Sequence, residues 1–421
     1  MGEGRGLRPL ALPHKQTNQG DFKLELARRI RQIPSSATLA LNAKANQLKA
    51  QGVDVVNFGV GEPDFDTPEN IREAACRAIR DGFTRYTPVG GTLEFKEAIG
   101  KKFQEDYGLA YRPAEIMVSC GGKHALYNLF QVLFDEGDEV LVPVPYWVSY
   151  PPMIMLAGAK PVVVHTREAD GFKLTPGELK RHLSQRTKAL ILNSPSNPTG
   201  AMYSRAELAA LGEVIMGNGL YVISDDIYDK IRFDGAPFHN MAMLSPELKD
   251  RTFVLNGLSK TYAMTGWRIG YLAGPEEAVQ AATKLQSQST SNPNSIAQKA
   301  GVEALSGPQD AVAAMVAEFA WRREDIYARV RQIPGVTSTK PDGAFYIFPN
   351  FSAYYDRLHP KPGQARSSAL AEYLLEKSQV AAVPGVEFGE DNCIRLSFAT
   401  SRERIATGVG RIAAALEELG K

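Results

Sequence analysis

The sequence has only three cysteines, and Cys76, Cys120 and Cys393 lie far apart along the chain. This spacing matches neither a disulfide framework nor a zinc site, and it is typical of reduced thiols in a cytoplasmic protein. The six histidines form no HExxH or comparable cluster. We therefore expect no metal centre.

A charge bias and long apolar runs are also missing. Forty-eight basic and 47 acidic side chains give a net charge of +1, so general attraction to nucleic acid or to an anionic membrane is not expected. No apolar run approaches the ~18 residues that span a bilayer. Residues 1–21 also lack the apolar core of a signal peptide. An anionic ligand must therefore be bound by a local site.

The remaining pattern is that of a globular protein long enough for two or three domains. Between residues 69 and 306, helical periodicity alternates with short apolar runs that are typical of strands buried on both faces. This predicts an α/β fold, in which helices flank a mainly parallel sheet and ligands bind at the carboxyl ends of its strands. We expect an N-terminal arm over 1–34, a large domain over 63–308, and a smaller α+β domain that combines 35–62 with 309–421.

Lys260 lies in a turn between two predicted strands, 252–255 and 268–273. A lysine can condense with an aldehyde when its amine is neutral for part of the time. Partial burial and a nearby cation such as Arg268 favour that state. Most lysines are solvated surface groups, so the alternative of an ordinary surface lysine stays open.

Two glycine- and proline-rich turns follow predicted strands. Gly121 and Gly122 lead from strand 116–119 into a helix, which would place free N–H groups and a positive dipole end at one point and so predicts a phosphate site. A plain tight turn is the alternative. After strand 189–192, two X-Pro bonds, either of which could be cis, would hold the Asn197 amide in a fixed direction. A structural turn is the alternative there as well.

Four further side chains are candidates for a site. Asp225 and Tyr228 follow strand 220–223 and suit a protonated ring nitrogen and a ring oxygen, although Asp225 could equally be a helix N-cap. Trp147 is either an aromatic platform or a core residue. Arg395 is flanked by apolar residues, so either an internal carboxylate or a ligand carboxylate must hold it.

The candidate residues belong to a series of motifs, which run in the order Gly61-Glu62-Pro63-Asp64-Phe65, Gly121-Gly122-Lys123, Tyr146-Trp147, Asn197-Pro198-Thr199-Gly200, Ser224-Asp225-Asp226-Ile227-Tyr228, Ser259-Lys260, Gly266-Trp267-Arg268-Ile269-Gly270 and Arg395. In combination these motifs resemble the class I pyridoxal-phosphate aminotransferases, over the chain from about residue 34 to its C-terminus. The sequence looks most similar to the bacterial aspartate aminotransferases that carry a Gly-Gly-Lys turn. The resemblance implies the fold type I of pyridoxal-phosphate-dependent transferases and a cytoplasmic homodimer with its active sites at the subunit interface.

The resemblance implies roles around a pyridoxal 5'-phosphate cofactor. Lys260 would hold it as a Schiff base and move a proton between the substrate Cα and the cofactor carbon C4′. The remaining cofactor contacts are expected from Asp225 to the ring nitrogen, Asn197 and Tyr228 to the ring hydroxyl, Trp147 to the ring face, Arg268 with the amides of Gly122 and Lys123 to the phosphate, and Tyr86 to the phosphate of the neighbouring subunit.

The resemblance also implies a substrate site. Arg395 would bind the α-carboxylate bidentately, helped by Asn197, Trp147 and the Gly61 backbone. The distal carboxylate of aspartate or glutamate would be bound by Lys123, Ser36 and Thr38. The implied reaction converts L-aspartate and 2-oxoglutarate to oxaloacetate and L-glutamate. Gly257 replaces the serine of other branches, so phosphate binding is expected to differ in detail.

Three alternatives remain. The first is an aminotransferase of broader specificity that accepts aromatic amino acids or prephenate, although Pro34 stands where some relatives have the lysine that accompanies prephenate use. The second is a pyridoxal-phosphate-dependent lyase on the same fold. The third is a transcription regulator that senses a ligand, which needs a basic winged-helix domain ahead of residue 34, where only 33 residues precede.

Overall fold

The computed structural model describes residues 24–33 and 37–420, and for 37–42 the backbone alone. The chain divides into two units after residue 34. In the first unit the described helix is α1 (Arg28–Arg31). In the second, the described helices are α2 (Ala37–Ala50), α3 (Glu69–Arg80), α4 (Leu93–Tyr107), α5 (Gly122–Leu133), α6 (Tyr150–Leu156), α7 (Pro176–Arg181), α8 (Arg205–Asn218), α9 (Pro246–Lys249), α10 (Glu276–Ser287), α11 (Ser295–Ser306), α12 (Asp310–Val330), α13 (Arg366–Ser378) and α14 (Arg402–Leu419).

The strands of the described residues also belong to the second unit. They are β1 (Val56–Asn57), β2 (Ile116–Ser119), β3 (Glu139–Val144), β4 (Lys160–His165), β5 (Thr187–Asn193), β6 (Tyr221–Asp225), β7 (Thr252–Gly257), β8 (Gly270–Ala273), β9 (Tyr346–Ile347), β10 (Val380–Ala381), β11 (Val383–Pro384) and β12 (Ile394–Ser397).

A seven-stranded sheet in the order β2-β8-β7-β6-β5-β3-β4 forms the centre of the fold. Adjacent strands of this sheet run parallel to each other, except that β8 runs antiparallel to both β2 and β7. The strands β2, β7 and β8 are buried at every residue, as expected for a sheet covered by helices on both faces. The prediction of an α/β fold with a mainly parallel sheet is confirmed.

The sheet register brings the carboxyl ends of neighbouring strands together. Asn193, the last residue of β5, pairs with Asp225, the last residue of β6. Asp225 pairs in turn with Leu255 of β7, which runs on into the turn that carries Lys260. The turns that carry Asn197 and Lys260 therefore lie at the same edge of the sheet as Asp225, where ligands bind in such folds.

Two small sheets lie outside the central one. β1 pairs with β10 in parallel, and β12 lies between β11 and β9 in antiparallel pairing. Side chains of β9, β12, α12 and α14 share a hydrophobic cluster, separate from the clusters around the central sheet. The expected division into 35–62 with 309–421 and 63–308 stays a prediction that these separate sheets support.

Local signals explain several helix ends. α8 begins with a capping box, in which the Ser204 hydroxyl accepts from the Glu207 N–H and the Glu207 carboxylate accepts from the Ser204 N–H. It ends at Gly219, whose φ of 66° lies in the left-handed region that glycine adopts without strain. No helix among the described residues is long and apolar enough to cross a membrane.

Candidate active site

Lys260 lies in the turn after β7, and its Nζ donates a hydrogen bond to the Gly61 carbonyl. Burial lowers the pKa of Lys260 to about 8, the charges of Arg395 and Arg268 lower it too, and the nearby Glu62 carboxylate opposes this shift. At such a pKa roughly one molecule in ten carries a neutral amine at pH 7. The amine is therefore a usable nucleophile and base, and the alternative of a solvated surface lysine does not fit its surroundings.

Asp225 ends β6 and is 4% exposed. The Tyr150 hydroxyl donates to its Oδ2 at 2.6 Å, and the Ile227 N–H donates to its Oδ1 at 3.3 Å. Burial raises the pKa of Asp225 to about 6 although both hydrogen bonds oppose that shift. The alternative of a helix N-cap is wrong, since residues 227–230 form turns and no helix follows β6 directly. A buried carboxylate of this kind suits a cationic ligand group.

Arg395 lies on β12 and is 4% exposed. Its Nη1 donates to Asn197 Oδ1 at 3.0 Å and its Nη2 to the Gly59 carbonyl at 2.9 Å. The guanidinium lies 4.5 Å from the Tyr346 ring centre and 5.1 Å from that of Phe388.

These contacts leave part of the Arg395 guanidinium free. Within the described part of the chain its buried Nε has no hydrogen-bond partner, and no internal carboxylate pairs with it. Burial accordingly lowers the pKa of Arg395. Of the two interpretations of this arginine, the geometry therefore supports a ligand carboxylate.

Asn197 and Tyr228 approach the same space from two turns. The Asn197 N–H donates to Asn193 Oδ1 at 2.8 Å, and the peptide bonds before Pro195 and Pro198 are both cis. The Tyr228 and Tyr346 hydroxyls are 2.9 Å apart. The Asn197 backbone is thus held by Asn193, while its side-chain oxygen accepts from Arg395.

The Gly121 turn has the features expected of an anion site. Gly121 has a φ of +91°, and α5 begins directly after it, so the first N–H groups of that helix have no acceptor within the helix. A Cβ on Gly121 would lie 2.3 Å from Arg268 Nη2. Arg268 Nη1 donates to the Thr265 carbonyl at 2.9 Å. A guanidinium held against a helix N-terminus is a favourable position for a phosphate.

Lys123 and Trp147 lie beside this turn. Lys123 Nζ is 4.9 Å from the centre of the Trp147 ring. Burial and the charge of Arg268 lower the pKa of Lys123. The Trp147 ring is partly exposed and lies 5.4 Å from the Tyr150 ring at 84°. Trp147 is therefore not a fully buried core residue.

Some predicted site residues are not brought into this group. Tyr86 is 92% exposed. Ser36 and the side chain of Thr38 lie outside the described residues. The Gly59 carbonyl accepts from Arg395 and the Gly61 carbonyl accepts from Lys260. The expected help of the Gly61 backbone in binding the substrate carboxylate stays a prediction.

Two contributors were missed from the sequence. Tyr346 contacts both Tyr228 and the Arg395 guanidinium, and Tyr150 contacts Asp225. The aromatic run after β3 was a weak signal for Tyr150, which follows Trp147 by three residues. No local signal marked Tyr346, which lies in an apolar strand.

Comparison with known proteins shows the family to which the chain belongs. The model of the family "Aminotransferase class I and II" matches residues 53–412. An aspartate aminotransferase from Geobacillus stearothermophilus is 51% identical over 392 residues, which cover 92% of this chain and 98% of that protein. An aspartate/prephenate aminotransferase from Cereibacter sphaeroides is 48% identical over 386 residues, which cover 91% and 96%.

A solved structure of an aspartate aminotransferase has a similar fold. The aspartate aminotransferase from Thermus thermophilus with maleate superposes with a TM-score of 0.86 at 42% identity, covering 93% of this chain and 100% of that one. The family model spans most of this chain, and both relatives match it over nearly their full length. This chain belongs to the class I and II aminotransferases.

Proposed function

We propose that this aminotransferase uses pyridoxal 5'-phosphate to convert L-aspartate and 2-oxoglutarate to oxaloacetate and L-glutamate. The observation that carries the proposal is the buried Arg395, whose Nε has no partner in the described residues, in one site with the Lys260 amine of lowered pKa. The names of the relatives from Geobacillus stearothermophilus and Thermus thermophilus support aspartate as the substrate.

The residues present fit the cofactor in three respects. A largely buried amine at Lys260 suits its aldehyde, the buried Asp225 carboxylate suits its ring nitrogen, and the Gly121 turn with Arg268 suits its phosphate. Trp147 would cover the ring face, and Asn197 and Tyr228 would bind the ring hydroxyl. When bound, pyridoxal phosphate supplies an aldehyde that condenses with amines and a ring that withdraws electrons from the adjoining Cα–H bond.

The Lys260 amine would do the proton chemistry. Its pKa of about 8 lets Nζ accept a proton from the substrate Cα and return it at the cofactor carbon C4′ near neutral pH. The Gly61 carbonyl, which accepts from Nζ, would hold the amine in the site when it is displaced from the cofactor. Asp225, buried and bonded by two donors, would hold the ring nitrogen in its protonated form.

Arg395 would orient the substrate. Asn197 and the Gly59 carbonyl accept from two of its nitrogens and the Tyr346 ring packs against it, so the guanidinium is held in place while three of its five N–H donors remain for a ligand. A carboxylate bound there bidentately can place one Cα–H bond perpendicular to the cofactor ring, and positioning of this kind can supply much of a rate enhancement.

The distal carboxylate would be bound by Lys123, together with Ser36 and Thr38. The amine of Lys123 lies next to the Trp147 ring on the same side as the anion site, where its positive charge suits a dicarboxylate. The relative from Cereibacter sphaeroides, which is named for aspartate and prephenate, keeps a broader specificity as a second candidate. Pro34, where some relatives have lysine, favours aspartate.

A homodimer is part of the proposal. Tyr86 is the most exposed of the large hydrophobic side chains in the described residues, which suits a residue that reaches the phosphate in a neighbouring subunit. Sedimentation equilibrium should give about twice the chain mass of 46.0 kDa. A monomer at micromolar concentration with full activity would contradict this part. The cytoplasmic location stays a prediction from the cysteine content.

Single-turnover spectra of the cofactor-loaded protein test the proposed function. We expect the cofactor absorbance to change fastest with L-aspartate or L-glutamate, and oxaloacetate to form from aspartate in stoichiometric amounts. Release of ammonia from the amino acid, with no amine form of the cofactor left behind, would instead identify a lyase. A faster change with phenylalanine, or with L-arogenate as the amino form of prephenate, would identify the broader specificity.

A further inference from the structure

Tyr150 has a position that the proposed roles do not use. It is the first residue of α6, is 2% exposed, and donates from its hydroxyl to Asp225 Oδ2 at 2.6 Å. Burial raises the pKa of Tyr150 well above its usual value, so the hydroxyl keeps its proton and acts as the donor. The carboxylate, which has no proton to give when ionised, is therefore the acceptor.

The hydrogen bonds to Asp225 occupy only part of its acceptor capacity. Oδ1 accepts from the Ile227 N–H at 3.3 Å and Oδ2 accepts from Tyr150. An ionised carboxylate has about four acceptor positions, so room remains for one charged N–H donor. Both existing donors stabilise the ionised form and so make the carboxylate a weaker base.

The ring of Tyr150 makes a second contact, with the side chain of Trp147. It meets the Trp147 ring edge to face, with 5.4 Å between centres and an angle of 84°. One buried side chain thus contacts both the carboxylate proposed to bind the ring nitrogen and the indole proposed to cover the ring face. Aromatic pairs in this arrangement hold their relative orientation.

We propose that Tyr150 is a positioning residue that holds the Asp225 carboxylate and the Trp147 ring in register and keeps the proton on the cofactor's ring nitrogen. This inference rests on the proposed function. If the hydroxyl is removed, Asp225 becomes a stronger base and draws the shared proton from the ring nitrogen towards its own oxygen. The cofactor ring would then withdraw electrons less strongly. Removal of the substrate Cα proton by Lys260 would be slower, while binding of the substrate by Arg395 would not change.

The test is Tyr150→Phe in the cofactor-loaded protein, with the cofactor labelled by ¹⁵N at the ring nitrogen. We expect the ¹⁵N signal to move from the protonated towards the unprotonated position. The value of kcat should fall about tenfold, as for the loss of one hydrogen bond to a charged group, while KM for aspartate changes less than about twofold. If the variant does not fold, 3-fluorotyrosine at position 150, a stronger donor, should move the signal in the opposite direction.

Tyr111→Phe is the matched control. Tyr111 is 8% exposed, and its buried hydroxyl has no hydrogen-bond partner in the described part of the chain. We expect neither the ¹⁵N signal nor kcat to change in this variant. An unmoved signal in Tyr150→Phe, in a protein that transaminates aspartate, would overturn the role of Tyr150 alone. A wild-type protein that binds no pyridoxal phosphate would overturn the proposed function and this inference together.

Discussion

Replacing Arg395 by lysine should lower kcat/KM for every substrate that carries an α-carboxylate. The guanidinium has five N–H donors, and two of its nitrogens are already bound to Asn197 and to the Gly59 carbonyl. Lysine has a single nitrogen on a flexible stem and loses the planar contact with Tyr346 at 4.5 Å. It can keep a charge near the substrate but cannot both hold those acceptors and bind a carboxylate through two parallel hydrogen bonds.

The expected loss is therefore about one charge-assisted hydrogen bond. At roughly 2 to 3 kcal/mol for such a bond, kcat/KM should fall about 30- to 150-fold. The assay measures the two half-reactions separately by rapid mixing, L-aspartate with the aldehyde form of the cofactor and 2-oxoglutarate with its amine form. Because both substrates present the same carboxylate to Arg395, both values of kcat/KM should fall by the same factor, with cofactor content unchanged.

Arg323→Lys is the matched control for this change. Arg323 is 2% exposed and binds the Asp234 carboxylate through two hydrogen bonds of 2.8 Å. Its replacement should lower the melting temperature and leave both values of kcat/KM unchanged. The reasoning is refuted if Arg395→Lys lowers kcat/KM less than about threefold, or if it affects one half-reaction only.

Three further predictions follow from the same site. Gly121→Ala should weaken the binding of pyridoxal phosphate at least tenfold in equilibrium titration, because the new Cβ would lie 2.3 Å from the Arg268 guanidinium. Gly137→Ala is its control: Gly137 has a similar φ of +95° but open space around it, so this change should lower only the stability of the protein. Lys123→Ala should raise KM for aspartate about tenfold or more and leave KM for phenylalanine unchanged. Lys96→Ala is its control and should change neither KM, although burial lowers the pKa of Lys96 as well. Because Lys260 titrates near pH 8 in the folded protein and at about 10.5 when unfolded, the folded state binds fewer protons between these values. Calorimetry of the cofactor-free protein should therefore show stability rising across that interval relative to Lys260→Met, and a falling difference would contradict the lowered pKa.

Much of the central sheet could be predicted because its strands are buried on both faces and so form short apolar runs. The turn carrying Lys260 follows from two such runs, and its position is confirmed. The second run begins later than predicted, at Gly270, because residues 265–267 form a 3-10 turn and Arg268 has a left-handed φ of 56°.

The sequence alone could not predict contacts between residues that lie far apart along the chain. Tyr150 reaches Asp225 across 75 residues, and Arg395 reaches Gly59 across 336. No local pattern distinguishes Gly59 from Gly61, since both are glycines in the same loop. Helix α11 gives only a weak helical pattern, because its sequence is rich in small residues and has few large apolar side chains.

The central claim is that one amine, that of Lys260, holds the cofactor. Borohydride reduction of the cofactor-loaded protein followed by peptide mass spectrometry tests it directly. We expect the cofactor mass on the peptide that contains Lys260 and on no other, and no covalent cofactor in Lys260→Ala. A cofactor mass on a different lysine, or one that persists in Lys260→Ala, would contradict the account.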